Sequence, residues 1–285
     1  MAKPLGPLES QFFAYTQMRR LQIVRLGDLV GPLHLTKAQE RRLLGQLTKK
    51  GLIVRVIRGA YLVPPRLPLG SAWSPDVDLA IDALMSLADS RYEAATRPSR
   101  GKSHTVRYQI CGPNAFNRYS LDEQLPVRTY VYNDRFTGDR RIGGVNLTLI
   151  KVARNRLGST EEITTSAGLR LVYSSRVRTL VDAVYDWSRF DSLPRGFEWI
   201  RRELATRRIR AENLVEATLR FGNQGTIRRM GFLLEKEGVA ESLLRRLHNA
   251  LRSSTSLISW IPNAPRRGKA DMRWRVVDNR PGCLR

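Results

Sequence analysis

A chain of 285 residues can hold two or three domains, and its 49 Lys and Arg against 26 Asp and Glu give a formal net charge of +23 and a pI near 11.1. Nearly all of the excess lies in residues 1–70 and 171–285, which favours a polyanionic partner, nucleic acid first and an acidic protein second. Two cysteines, Cys111 and Cys283, exclude a disulfide framework or a zinc ribbon, and the lack of a signal-type or membrane-length apolar run predicts a soluble cytoplasmic protein without a membrane partner.

In chain order, Leu8–Leu21 carries apolar residues at helical spacing, Ile23–Val24 reads as a short strand, and Leu26–Val30 as a short helix closed by Gly31–Pro32. Thr36 with Gln39 forms a capping box, Gly51 supplies a helix stop, and Lys49 and Lys50 suit the negative helix end, so a helix is predicted over Lys37–Lys50. On it Leu43, Leu44 and Leu47 share one face. Ala38, Arg42, Gly45, Gln46 and Lys49 share the other, with Gln39 and Arg41 flanking it and Glu40 nearer the leucines. Arginine and glutamine supply bidentate donors for base edges, lysine reaches phosphates, and small residues permit close approach, as a major groove requires. Leu52–Ile57 and Ala60–Val63 then form a hairpin about Arg58–Gly59, placing Arg55 and Arg58 on a wing. Together these elements predict a winged helix-turn-helix ending near residue 68, and the alternative for the same pattern is a solvated basic helix on a small α+β domain.

After a link containing Pro and Gly, Ser74–Pro75 opens a helix with Val77, Ile81, Leu84, Met85 and Ala88 on one side, followed by a polar basic loop from Arg91 to Ser103. Strands are predicted at Val106–Cys111, Val127–Asn133, Asn146–Val152 and Leu169–Tyr173, with Phe136–Gly144 a charged turn. The short loops between strands suggest antiparallel pairing. The last third is helical: Ser175 caps a helix with Val177, Leu180, Val181 and Val184 on one face. Helices follow at Phe197–Leu204, Glu212–Phe221, Thr226–Glu237 and Ala240–Ser253, then strands at Leu257–Ile261 and Met272–Val277. Alternation through Arg273-Trp274-Arg275-Val276 turns Trp274 inward and the arginines outward.

Chemistry of other kinds finds little support. Asp134 and Asp139 sit among Arg135, Arg140 and Arg141, Glu235 and Glu237 lie at a helix end, and His34, His104 and His248 are widely spaced. No Gly-rich phosphate loop precedes a helix. The expectation is therefore a protein without catalytic residues, bound metal or cofactor.

Several segments resemble the AbiEi family of antitoxins from bacterial toxin-antitoxin and phage-defence (abortive infection) operons. YQICGPNAFNRYSLDEQLPVRTYVYND (108–134) is similar to that family's strand, helix and Q-x-P segment, SSRVRTLVDAV (174–184) to its R-T-L-x-D helix start, and RRMGFLLEKEG (228–238) to its helix ending in L-L-E. With the winged helix, the order of four pieces spans most of the chain. The resemblance implies an antitoxin that neutralises a nucleotidyltransferase-like toxin and, as a transcriptional repressor, binds inverted repeats in its own promoter. It places Lys37, Gln39, Arg42, Gln46 and Lys49 on the recognition helix and Arg178, Thr179, Leu180 and Asp182 at the R-T-L-x-D positions. Read from the residues alone, Leu180 is core and Arg178 with Asp182 is an i,i+4 pair.

The sequence thus predicts an α+β protein: a DNA-binding winged helix at residues 1–68, and a larger antitoxin domain at 74–285, strand-rich over 74–173 and mainly helical over 174–285. Double-stranded operator DNA and the toxin are the expected partners. The alternatives are a stand-alone winged-helix regulator with a ligand-sensing domain, and a nuclease.

Overall fold

Segments with period-3.6 apolar faces form helices in this chain, and β-branched runs bounded by Gly and Pro form strands. The computed structural model describes residues 5–67, 72–95, 107–166 and 168–280, and the chain is α+β with a helical C-terminal region. Along it run α1 (Pro7–Met18), β1 (Ile23–Arg25), α2 (Lys37–Lys49), β2 (Val54–Ile57), β3 (Ala60–Leu62) and α3 (Val77–Ala95). Next come β4 (Tyr108–Ile110), α4 (Pro113–Arg118), β5 (Thr129–Asn133), β6 (Gly138–Ile142), β7 (Val145–Lys151), β8 (Thr160–Thr164) and β9 (Arg170–Ser174). The last third holds α5 (Arg176–Tyr185), α6 (Trp187–Phe190), α7 (Arg195–Ala205), α8 (Ala211–Phe221), α9 (Gln224–Lys236) and α10 (Glu241–Asn249). Strands β10 (Ile258–Ser259), β11 (Lys269–Asp271) and β12 (Val276–Asp278) follow.

Contacts group these elements into two compact units of non-contiguous segments. The first comprises Met1–Tyr108, Val127–Arg154 and Glu162–Leu171, the second Gln109–Pro126, Asn155–Glu161 and Val172–Arg285. This grouping follows space rather than chain order, so the winged helix shares its unit with α3 and β5–β7 instead of ending as a separate body at residues 68–74.

Within the first unit, β1, β3 and β2 form an antiparallel sheet in that order, with α1 and α2 packed over it in the winged-helix arrangement. Phe12, Phe13, Val24, Leu29, Leu35, Leu43, Leu44, Leu47, Ile53 and Val63 make its core. Each such side chain contributes roughly 1.5–3 kcal/mol on burial. Residues 26–34 form successive hydrogen-bonded turns instead of the expected short helix, because Gly27 takes φ +108 and Pro32 has no N–H to give. Helix α3 continues past the loop start expected at Arg91, while His104 and residues 96–106 lie outside the described part.

The segment expected as a charged turn is in fact β6, which pairs antiparallel with β7 from Gly138↔Leu149 to Ile142↔Val145. The pairing of β5 with β7 is parallel, Thr129↔Leu147 to Asn133↔Lys151, against the antiparallel expectation. The chain leaves β5 through a turn in which Asn133 Oδ1 accepts from the N–H groups of Arg135 and Phe136, runs out along β6, and returns as β7 between them. A strand thus does the work of a helical crossover. Strand β8, also unforeseen, pairs beside β9, and both its ends are charged or polar and exposed.

In the second unit α5 is sheathed by α7, α8 and α9 and is buried from Arg178 to Val184. Helix α10 stops at Asn249, earlier than expected, and β10, β12 and β11 form a three-stranded sheet. Met272–Arg275 is a turn rather than a strand, yet Trp274 is fully buried and Trp260 nearly so. Trp274 Nε1 donates to Glu235 Oε2 at 2.7 Å, and its ring lies against Gly231 of α9, where an added Cβ would stand 2.1 Å from the indole. Gly231→Ala should therefore destabilise the protein by about 1–3 kcal/mol through overpacking. Gly31→Ala, with nothing within 4 Å of the new methyl, serves as the neutral control in denaturant melts.

Candidate nucleic-acid interface

Helix α2 is placed by its own ends and by one buried carboxylate. Thr36 Oγ1 accepts from Gln39 N at 3.2 Å while Gln39 Oε1 accepts from Thr36 N at 2.8 Å, the reciprocal cap that the sequence predicted. At the far end Lys50 Nζ bonds Glu9 of α1 at 2.7 Å. Burial works to raise the Glu9 pKa, but Lys50 and the Gly6 N–H outweigh it and hold the carboxyl below its ordinary 4.5. Glu40, the acidic residue among the leucines, is fully buried, and its carboxylate accepts from Gly27 N at 2.8 and 2.9 Å and from Leu29 N at 3.0 Å. It ties α2 to the preceding turns and fixes which way the helix faces.

That face is open. Lys37, Ala38, Arg41, Arg42, Gln46 and Lys49 are exposed, as are Arg55 on β2 and Arg58 in the β2–β3 turn. Gly45 lies between Arg42 and Lys49, and nothing stands within 4 Å of the place a methyl group would take there. Gln39 is also exposed, but its carboxamide oxygen is committed to the cap, so only its amide nitrogen remains for a ligand. Among the described residues none of Lys37, Arg41, Arg42, Lys49 and Arg55 forms an ion pair. Arginines elsewhere are matched to acids: Arg176 and Arg208 to Glu203, Arg201 to Glu198 and Glu237, Arg273 to Glu235 and Glu241.

The R-T-L-x-D residues are placed differently. Arg178, Thr179, Leu180 and Asp182 are all fully buried in the second unit. Arg178 Nε meets Asp182 Oδ1 at 2.9 Å, Nη1 donates to the carbonyls of Arg156 and Gly158, and the guanidinium lies 4.0 Å over the Phe221 ring. This is an interior brace between α5, α8 and the loop at 156–158, and not the weak surface pair that i,i+4 spacing suggests. Removing one partner strands a buried charge, which is the costly case.

Two further lining residues had no sequence signal. Trp73 and Arg141 lie with Thr48, Arg55 and the Gly143–Gly144 turn about a groove at the C-terminal end of α2. They are distant from α2 in sequence, and only the folded first unit brings them there. Among the described residues no group of three or more His, Cys, Asp or Glu is placed to hold a metal ion, and no helix is long and apolar enough to cross a membrane. Asp134 and Asp139, the acids weighed for metal binding, are paired with Arg154 and Arg128.

The brace formed by Glu40 gives a direct test. Glu40→Ala leaves the buried Leu29 N–H, and the Gly27 N–H in an exposed turn, without their acceptor and should cost about 1–3 kcal/mol. Glu40→Gln retains one acceptor oxygen and should cost less, and equal melting of both variants with the parent chain in urea would contradict this account.

No family model matches the sequence, and no curated protein does. Among solved structures the chain is similar to the crystal structure of the RV2827C protein from Mycobacterium tuberculosis, with a TM-score of 0.55 and 15% identity over 99% of this chain and 94% of that one. At that identity the likeness speaks for a shared fold along both chains.

Proposed function

We propose that this chain is the antitoxin and autorepressor of a bacterial toxin-antitoxin pair, binding operator DNA in its own promoter through α2 and the wing and neutralising a nucleotidyltransferase-like toxin without turnover. The DNA-binding half rests on one observation: an exposed helix face bearing Lys37, Arg41, Arg42 and Lys49, which form no ion pair among the described residues, in a chain that pairs many of its other arginines. Such a face keeps its counterions until a polyanion displaces them, and their release drives association. Arg42 and Gln46 are one turn apart on it, as bidentate contacts to neighbouring base edges require.

The toxin-neutralising half rests on the ordered resemblance of residues 108–134, 174–184 and 228–238 to the AbiEi antitoxins. In those segments the most distinctive side chains, Arg178, Asp182, Gly231 and Glu235, support packing. On this reading they maintain the domain that meets the toxin and leave the contact itself to exposed residues. The ligand-sensing alternative needs a pocket in the larger domain. A cavity lined by Ser159, Ser175, Asn213, Glu216 and Arg220 measures about 290 Å3, at the small end for a ligand site. A nucleotidyltransferase encoded in the adjacent gene would favour the antitoxin over that alternative and over a nuclease.

Replacing Arg42 and Gln46 together by Ala should abolish operator binding in mobility-shift assays, at about 1–3 kcal/mol per lost bidentate contact, while the folded variant still rescues cells from the toxin. Loss of rescue in a folded double variant would contradict the division of labour.

Gly45→Ala separates stability from recognition. It should stabilise α2 by about 0.5–1 kcal/mol, because nothing opposes the methyl, yet weaken DNA binding by holding the helix away from the groove floor. A variant that is more stable and binds unchanged would show that α2 does not enter the groove at this turn.

A further inference from the structure

Resting on the winged-helix reading, we propose that the groove at the C-terminal end of α2 is a second nucleic-acid subsite, built jointly by the winged helix and by segments that follow it in the chain. It holds the sugar-phosphate backbone flanking the base pairs read by α2, with Arg55 and Arg141 on phosphates and Trp73 against a deoxyribose.

The groove measures about 570 Å3, and among the described residues no carboxylate lines it. Its two arginines come from different hairpins, Arg55 from the wing and Arg141 from β6, and among the described residues neither has an ion pair. Asp139, the acid nearest in sequence to Arg141, is already engaged by Arg128 at 2.7 Å and Thr148 at 2.8 Å. Ile53, Val54 and the indole of Trp73 supply apolar walls, the surface on which a sugar or base face packs. Cations above an apolar floor match a nucleic-acid strand, whose phosphates and rings alternate.

The site is also held in shape before any ligand arrives. Trp73 N donates to Gly51 O at 2.8 Å, pinning the link to the end of α2, and Gly144 N donates to Ser74 Oγ at 2.8 Å. The β6–β7 turn sits against Pro75 and Val54 so closely that only glycine, at φ +60, fits at Gly143. Arg141 Nε bonds the Gly143 carbonyl at 2.9 Å, which aims the guanidinium and reduces the entropy lost when it meets a phosphate. Thr48 and Gly51 line the subsite at the C-terminal end of α2, so its effect falls on the flank of the bound DNA that this end of the helix meets.

The full chain is titrated against fluorescein-labelled duplexes tiled across the DNA upstream of its own gene, over a salt series, with anisotropy as readout. Arg141→Ala should weaken binding about fivefold and reduce the salt slope by about one unit, leaving the ranking of duplexes unchanged. Trp73→Ala should weaken binding with an unaltered slope, Arg141→Lys should restore most of the slope, and trimming the duplex on the groove side should erase the difference between Arg141→Ala and the parent. If the parent binds a duplex and Arg141→Ala binds it with the same affinity and slope, the subsite is overturned while the recognition-helix reading stands. If Arg141→Ala binds DNA normally but fails to protect cells from the toxin, the groove is a protein contact and the proposal is overturned in that way. If the parent binds no duplex, both readings fall together.

Discussion

The N-terminal architecture depends on a carboxylate shut away from water. Glu40 stands on the face of α2 where the leucine stripe leads one to expect another leucine, and it accepts the N–H groups of Gly27 and Leu29. A leucine there would pack but leave the buried Leu29 N–H unsatisfied and release the Gly27 turn, a penalty that offsets the apolar contact. Hydrophobic contact is also non-directional, so Leu43, Leu44 and Leu47 alone hold α2 against the core without fixing its rotation. Hydrogen bonds from fixed backbone groups to one carboxylate do fix it, and the direction in which Arg42 and Gln46 point follows.

The same economy of charge separates the two units. In the second, guanidinium groups serve as internal struts: Arg178 bonds Asp182 and two carbonyls, and Arg176 reaches Glu203. Strongly basic composition there is partly consumed inside the chain. Along α2 it is not: among the described residues Lys37, Arg41, Arg42 and Lys49 form no ion pair, while Glu9 and Glu40 are turned inward onto Lys50 and backbone donors and the exposed Asp28 accepts from the Arg25 N–H. A total of +23 says little about where a polyanion sits, and the distribution of unpaired cations says more.

Signals carried within a few residues were legible in the sequence. The capping box at Thr36 and Gln39, the leucine face of α2, the wing and the Ser175 cap all depend on neighbours in the chain, and all stand where the pattern put them. What was missed depends on partners far away. Strand β6 has a charged sequence because it has an edge to protect, so it lacks the apolar alternation that announces a strand. The parallel β5–β7 pairing follows from β6 lying outside β7, which no loop length reveals. The inward position of Trp274 came from an assumed strand, whereas the residue reaches the core from a turn whose last member, Arg275, takes φ +54. Glu40 looked like a flaw in an amphipathic face, and the groove residues Trp73 and Arg141 carried no local mark at all.

Two mid-helix glycines show where reading along the chain ends and reading in space begins. Gly45 in α2 and Gly231 in α9 both interrupt good helical sequence at a cost of about 1 kcal/mol relative to alanine. At Gly231 the reason is inside the molecule, since the face of Trp274 occupies the place of a side chain. At Gly45 nothing among the described residues lies within 4 Å, so no packing among them offsets the cost. The side of α2 that carries Gly45 also carries Arg42, Gln46 and Lys49, the residues suited to base edges and phosphates. A helix entering a groove meets its tightest clearance midway along the inserted face, and that is where this helix has no side chain.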